Sequence, residues 1–218
     1  MIKALICDLD NTLFATDGIS AEVVQPVIDA LLAANIGVDA VGVEALYRAI
    51  DDCWHRPFDL VAQEYGLSDR LRAAWHSASA SLRVTEPLTP YADVPTLALL
   101  PLTRFLVTSG YRRFQESKIS ALGISHLFER VYIDALDDLN RQGKERIFRG
   151  ILGRHGWAPA EVLVLGDSAE SELAAGRRLG MPTIQVLRRG VTRAAEVRFW
   201  IRGLEELAPM IDRLNQEP

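Results

Sequence analysis

The sequence predicts an α/β fold built on a doubly wound parallel sheet, with a block of helices inserted after the first strand. Three observations predict it. From residue 101 onward, short apolar runs alternate with amphipathic segments of helical length, a pattern that calls for parallel strands joined by right-handed crossovers. The first apolar run, 2–7, is separated from the rest by helical periodicity over most of 15–87. Finally, three runs end in polar groups: Asp8-Leu9-Asp10-Asn11-Thr12, Thr108-Ser109-Gly110 and Gly166-Asp167-Ser168. In an open α/β sheet, ligands bind outside the carboxyl ends of the strands, so these groups face a crevice.

Taken in order, 2–7 is a continuous apolar run, as expected of a strand buried on both faces. Strand alternation turns Cys7 to the face opposite Asp8, so Cys7 is read as packing. Ile19, Val23, Val24, Val27, Ile28, Leu31 and Leu32 then recur at helical spacing, and Asn35-Ile36-Gly37 closes the segment. Further helices are expected near 43–54, 58–65 and 70–82, punctuated by Pro57, Gly66 and Pro87 to Pro90. Strands follow at 103–108, 131–133, 162–165 and 183–186, with a short sixth at 198–201; the helices between and after them are 114–122, 145–152, 170–179 and 204–214.

Composition narrows the function classes. A chain of 218 residues suits one globular domain or a core with a modest insertion, and at this size folding buries roughly 70% of the unfolded surface. The 24 basic and 29 acidic residues give a net charge of -5, which argues against a nucleic-acid partner, since that needs a basic footprint. The pairs Arg112-Arg113, Arg177-Arg178 and Arg188-Arg189 are expected on solvated surface. The first residues carry no apolar signal region and no stretch has the roughly 18 apolar residues of a membrane span, so the expectation is a cytoplasmic protein with no membrane partner. Cys7 and Cys53 lack metal-type spacing and give no disulfide framework.

The polar strand ends, with Lys144 opening a helical pattern, carry a resemblance. DxDxT at Asp8, Asp10 and Thr12, a threonine closing the second strand at Thr108, Lys144, and a GDS motif at Gly166, Asp167 and Ser168 occur in the order found in the haloacid dehalogenase-like hydrolases. Ala121-Leu122-Gly123-Ile124 and Leu179-Gly180-Met181-Pro182 also look familiar. The likeness covers about 1–14 and 88–190; each motif alone is weak, and four in order are strong. It implies a Rossmann-like catalytic core of 1–14 and 88–218, and a helical cap of 15–87 that closes over the active site.

In the chemistry this resemblance implies, Asp8 attacks phosphorus and forms an aspartyl-phosphate. Two unit charges of like sign about 4 Å apart repel by about 4 kcal/mol at an effective dielectric of 20, so cations must offset the approach. Lys144 would contact the phosphate, and Asp8, Asp167 and the backbone carbonyl of Asp10 would hold Mg2+, a hard ion that takes oxygen ligands. Asp10 would act as general acid and then base, which suits an alkyl phosphate. Thr108 and Ser109 would bind phosphate at the strand end, while Thr12 shapes the turn by local hydrogen bonding.

Two departures from the family pattern stand out. Glu145 follows Lys144 where the family often has proline, and Ser168-Ala169-Glu170-Ser171-Glu172 follows Asp167 where it commonly has a further aspartate. Glu170 and Glu172 are left outside the expected metal set, being equally readable as first-turn helix acids. Trp54, His55, Arg56 and Phe58 read as a hydrophobic helix end with a polar rim. The function this points to is a phosphatase for a small phosphorylated metabolite. A phosphomutase or dehalogenase of the same superfamily is the enzymatic alternative, and a non-catalytic binding protein on the same fold is the other.

Overall fold

A computed structural model describes residues 1–37, 40–53, 56 and 58–216. Its six strands are β1 (Ala4–Cys7), β2 (Thr103–Gly110), β3 (Arg130–Ala135), β4 (Val162–Gly166), β5 (Thr183–Val186) and β6 (Phe199–Ile201). They form one sheet in the order β3-β2-β1-β4-β5-β6, parallel at every pairing. The chain winds outward from β1 to β3 and then returns to continue from β4 on the other side of β1. Strand direction of winding therefore reverses between β1 and β4, and such a switch point opens a crevice at the carboxyl ends. Cys7 lies opposite both Leu106 and Leu165, and the Asp8 N–H donates to the Leu165 carbonyl at 2.9 Å. That bond carries the ladder one residue beyond β1 and fixes where Asp8 emerges.

Alternation sorts the strand residues onto two faces. Ala4, Ile6, Phe105, Val107, Val162 and Val164 pack on Phe148 and Ile151 of α6 (Gly143–His155) and Leu173 of α7 (Glu172–Arg178). Leu5, Cys7, Leu106, Leu163 and Leu165 face the other way, toward Phe114, Ile119 and Leu122 of α5 (Arg112–Leu122) and Leu207 and Ile211 of α8 (Leu207–Gln216). This second cluster continues into the inserted helices through Val27 and Leu31 of α1 (Ala21–Ala34), Leu46 of α2 (Val43–Asp52), Phe58 of α3 (Phe58–Glu64) and Leu71 of α4 (Asp69–Ser79). Cys7 is packing material, as expected, and burial pushes its thiol pKa up.

The strands and helices fall where the apolar periodicity put them, with end shifts of a few residues. One shift has a chemical cause: α7 starts at Glu172 instead of at 170, because the Glu172 carboxylate folds back to accept the Ser168 N–H at 2.7 Å. One surface expectation is wrong. The Arg188 side chain is only 8% exposed; it pairs with Asp93 at 2.7 Å, donates to the Thr12 carbonyl at 3.2 Å and lies over the Tyr91 ring at 4.1 Å. It clamps the turn after β1 instead of meeting solvent. Among the described residues no helix is long and apolar enough to cross a membrane.

Candidate active site

Asp8 sits at the carboxyl end of β1, buried, with its Oδ1 at 2.6 Å from the Lys144 ammonium. Lys144 is in the first turn of α6, where its charge opposes the helix dipole by about 0.3–1 kcal/mol. The local mismatch is outweighed by two carboxylates, because the same ammonium also donates to Glu172 at 2.8 Å. Glu172 is almost wholly buried, and a Cβ on Gly166 would collide with its carboxylate. Glycine at the end of β4 is therefore what lets the glutamate reach across to Lys144.

Asp8, Asp167 and Glu172 each bring a carboxylate oxygen to within 4.8 Å of the others. Three acids thus face one lysine. Burial, opposed by Lys144, raises the Asp8 pKa to about 7, and burial with Glu172 and Asp8 nearby raises that of Asp167. Burial alone would lower the Lys144 pKa, but Asp8 and Glu172 more than reverse this and raise it. An excess of negative charge held in low dielectric suits a divalent cation, and an all-oxygen donor set suits a hard one such as Mg2+. The residues fit the metal expected from the sequence. Glu172, left out of that set, is nearer to Asp8 and Asp167 in role than its reading as a helix acid suggested.

Asp10 lies on the other side of the strand end and is held by α5. Lys118 donates to its two oxygens at 2.7 and 2.9 Å, and the Gln115 amide donates to Oδ2 at 2.9 Å. The same amide nitrogen reaches Thr108 Oγ1 at 2.9 Å and the Ser109 carbonyl at 2.6 Å. Gly110 makes room for this side chain, since a Cβ there would meet Gln115 at 2.7 Å. Lys118 is buried against aromatic rings, 4.5 Å from the Phe114 centroid.

Thr108 is buried and shares the Gln115 amide with Asp10, but it does not close β2 as expected, since the strand runs on to Gly110; the Ser109 hydroxyl donates to Asp134 at 2.9 Å. Asp134, near the end of β3, also accepts from Arg141 at 3.0 Å and from the Gly143 N–H at 3.1 Å. The serine thus braces the loop that carries Lys144. Thr12 does not shape its turn as expected: its hydroxyl is buried with no hydrogen-bond partner. Asn11 does so instead, in the left-handed region at φ 52°, accepting from the Thr16 N–H and hydroxyl at 3.2 and 2.9 Å; asparagine tolerates that backbone conformation.

A cavity of about 270 Å³ opens above these groups, between the strand ends and the inserted helices. Phe58 lines it and stacks on Trp75 with centroids 4.5 Å apart, while Arg56 pairs with Glu64 at 2.8 Å. Trp54 and His55, read with them as one cluster, lie outside the described residues.

Residues 2–180 match the haloacid dehalogenase-like hydrolases. The chain belongs to that family. It is 30% identical over 215 residues to glyceraldehyde 3-phosphate phosphatase of Methanopyrus kandleri, covering 91% of this chain and 89% of that one. A protein of the same name from Methanocaldococcus jannaschii is 24% identical over 231 aligned positions, spanning both chains in full. Among solved structures, a HAD phosphatase from Thermococcus onnurineus superposes with a TM-score of 0.63 at 23% identity, covering 96% of this chain and 98% of the other. In this hydrolase, then, Asp8, Asp10, Thr108, Lys144 and Asp167 gather at one crevice. Gln115, Lys118 and the full reach of Glu172 complete it, with Asp134 behind Ser109, and motif reading missed all four.

Proposed function

We propose that this hydrolase is a magnesium-dependent phosphatase that cleaves a small phosphomonoester through a phosphorylated Asp8. One observation carries the reading: a buried carboxylate at the switch point, held by Lys144 at 2.6 Å and flanked by two further acids. Such an arrangement has little use in packing and strongly favours a site for a cation and an anion together. An Asp8 oxygen attacks phosphorus as the ester P–O bond breaks, and the departing alkoxide takes a proton from Asp10. Water then attacks the phosphoryl group, gives its proton to Asp10 and restores the Asp8 carboxylate with release of inorganic phosphate. Asp10 can exchange protons with solvent because its side chain is 25% exposed, while Lys118 and Gln115 set its position.

Lys144 offsets the repulsion between Asp8 and the phosphate. Bound Mg2+ would supply electrostatic stabilisation of the phosphoryl oxygens, with Asp8, Asp167 and the Asp10 carbonyl as its expected holders and Glu172 in reach. Thr108 and Ser109, which line the cavity with Asp8 and Lys144, are read as the phosphate-binding side, and the Ser109 hydroxyl also holds Asp134, which accepts from the Gly143 N–H just before Lys144. Residues 15–87 are read as the cap over this site. The names of the relatives make glyceraldehyde 3-phosphate the first substrate to assay. Phosphate release with Mg2+, with excess chelator, and after readdition of Mg2+ tests the proposal; full activity in chelator would reject it. Ca2+ should substitute poorly, because its longer and looser coordination misplaces the nucleophile.

A further inference from the structure

Two polar atoms on the inserted helices are buried without a hydrogen-bond partner among the described residues, Ser79 Oγ and Trp75 Nε1. Both residues line the cavity and both belong to α4, four positions apart and so neighbours on one face of the helix. The hydroxyl of Tyr111, the residue before α5, lies beside both. It is engaged elsewhere, 2.5 Å from His76 Nδ1, and neither α4 atom makes an aligned hydrogen bond to it. An indole N–H can only donate, and a serine hydroxyl can donate as well as accept, so the pair has donors to spare and calls for an acceptor. A buried donor left unmet costs about 1–3 kcal/mol. Native structures hold few such groups, so two on one cavity wall point to a ligand atom that meets them.

Charge and size limit what carries the acceptor. Among the described residues, each lysine and arginine that lines the cavity is already held by a carboxylate. Arg56 pairs with Glu64 at 2.8 Å, Lys118 with Asp10 at 2.7 Å, Arg141 with Asp134 at 3.0 Å and Lys144 with Asp8 at 2.6 Å. Asp59 lines the same cavity, 4.0 Å from Arg141. A second anion on the substrate, away from the phosphate, would meet Asp59 with no described cation free beside it, and burying an unpaired charge is costly. A hydroxyl or carbonyl oxygen carries no such penalty. The cavity, about 270 Å³, lies near the lower end of small-molecule pockets, about 300 Å³, so the carbon chain bearing that oxygen is short. We infer that Trp75 and Ser79, with Tyr111 beside them, form a subsite for an uncharged oxygen, hydroxyl or carbonyl, on the leaving group of a short phosphomonoester. The inference rests on the phosphatase reading and names the residues that read the end of the substrate away from the phosphate.

Propyl phosphate, glycerol 3-phosphate and 3-phosphoglycerate test it, because their carbon chains are equal in length and differ in the oxygens they carry. With the full chain and Mg2+, kcat/KM for glycerol 3-phosphate is expected to exceed that of each of the others by at least about tenfold, the scale of one or two net hydrogen bonds. Ser79→Ala and Trp75→Phe, the second keeping an aromatic ring on Phe58, should each lower the glycerol-to-propyl ratio at least about threefold, and together bring it close to one. Ser79→Ala should not lower the Tm of the ligand-free protein, since it removes an unpaired buried group. A glycerol-to-propyl ratio near one in the wild type, 3-phosphoglycerate as the best of the three, or an unchanged ratio in both variants overturns the inference and leaves the phosphatase reading standing. If none of the three esters is hydrolysed, the phosphatase reading falls. Calorimetric binding of the three to the wild-type chain and to both variants then decides the subsite, with the same order supporting it and equal binding overturning it.

Discussion

Gly166 and Glu172 are coupled residues: the glycine is empty where the glutamate lies. Gly166→Ala should therefore push Glu172 off Lys144 and lower Mg2+-dependent phosphate release by at least tenfold, about the loss seen when supporting residues around a metal are changed. A titration of activity against Mg2+ would show the weakened affinity. Lys144→Met leaves the buried acids Asp8 and Glu172 without their cation, and removing one partner of a buried pair costs about 3–5 kcal/mol; urea unfolding of the metal-free variant would read it. The Asp8 pKa is raised from 3.8 to about 7, so between those values the folded chain binds more protons than the unfolded one. Stability then falls as pH rises through that window. Metal-free protein should lose Tm from pH 4 to pH 7 more steeply than Asp8→Asn does, and Mg2+ should flatten the difference.

At the scale of elements, α5 is the part whose role was not legible. Its apolar stripe runs through Phe114, Ile119 and Leu122, and the sequence places Gln115 and Lys118 on that same stripe. Two polar residues inside a buried stripe were the available signal, but which partner satisfies them depends on how the helix docks on β2, a tertiary fact. Asp8, Asp10 and Asp167 were readable because each lies just past a strand end, and Thr108, inside β2, because the turn residues Ser109 and Gly110 follow it in the sequence. Asp134 also stands near a strand end, yet it lies in β3, short of the turn where a functional acid was sought, and no motif marks it. Lys118→Met keeps the helix and its packing while releasing Asp10. It should lower kcat for alkyl phosphates by about 10²-fold, the lower end of general acid–base contributions, and affect aryl phosphates less, since their leaving groups need less protonation. Uniform slowing of both classes would assign Lys118 to structure alone.

For the whole molecule, the winding reversal between β1 and β4 is what brings Asp8 and Asp167 together, although 158 intervening positions lie between residues 8 and 167. α6 and α7 then deliver Lys144 and Glu172 from the face of the sheet they share. The fold class was legible because strand and helix periods alternate cleanly; the chemistry of the cavity wall was not, since it depends on which faces of α1, α2 and α4 meet the strand ends. The central claim is that Asp8 becomes phosphorylated during turnover. Rapid acid quench of the Asp10→Asn variant with substrate and Mg2+, followed by peptide mass measurement, tests it most directly. A phosphoryl group on the peptide carrying Asp8, absent when Asp8 is also replaced by Asn, is the predicted result; turnover of phosphate by wild-type protein with no such adduct at any quench time, or unchanged turnover in Asp8→Asn, would contradict it.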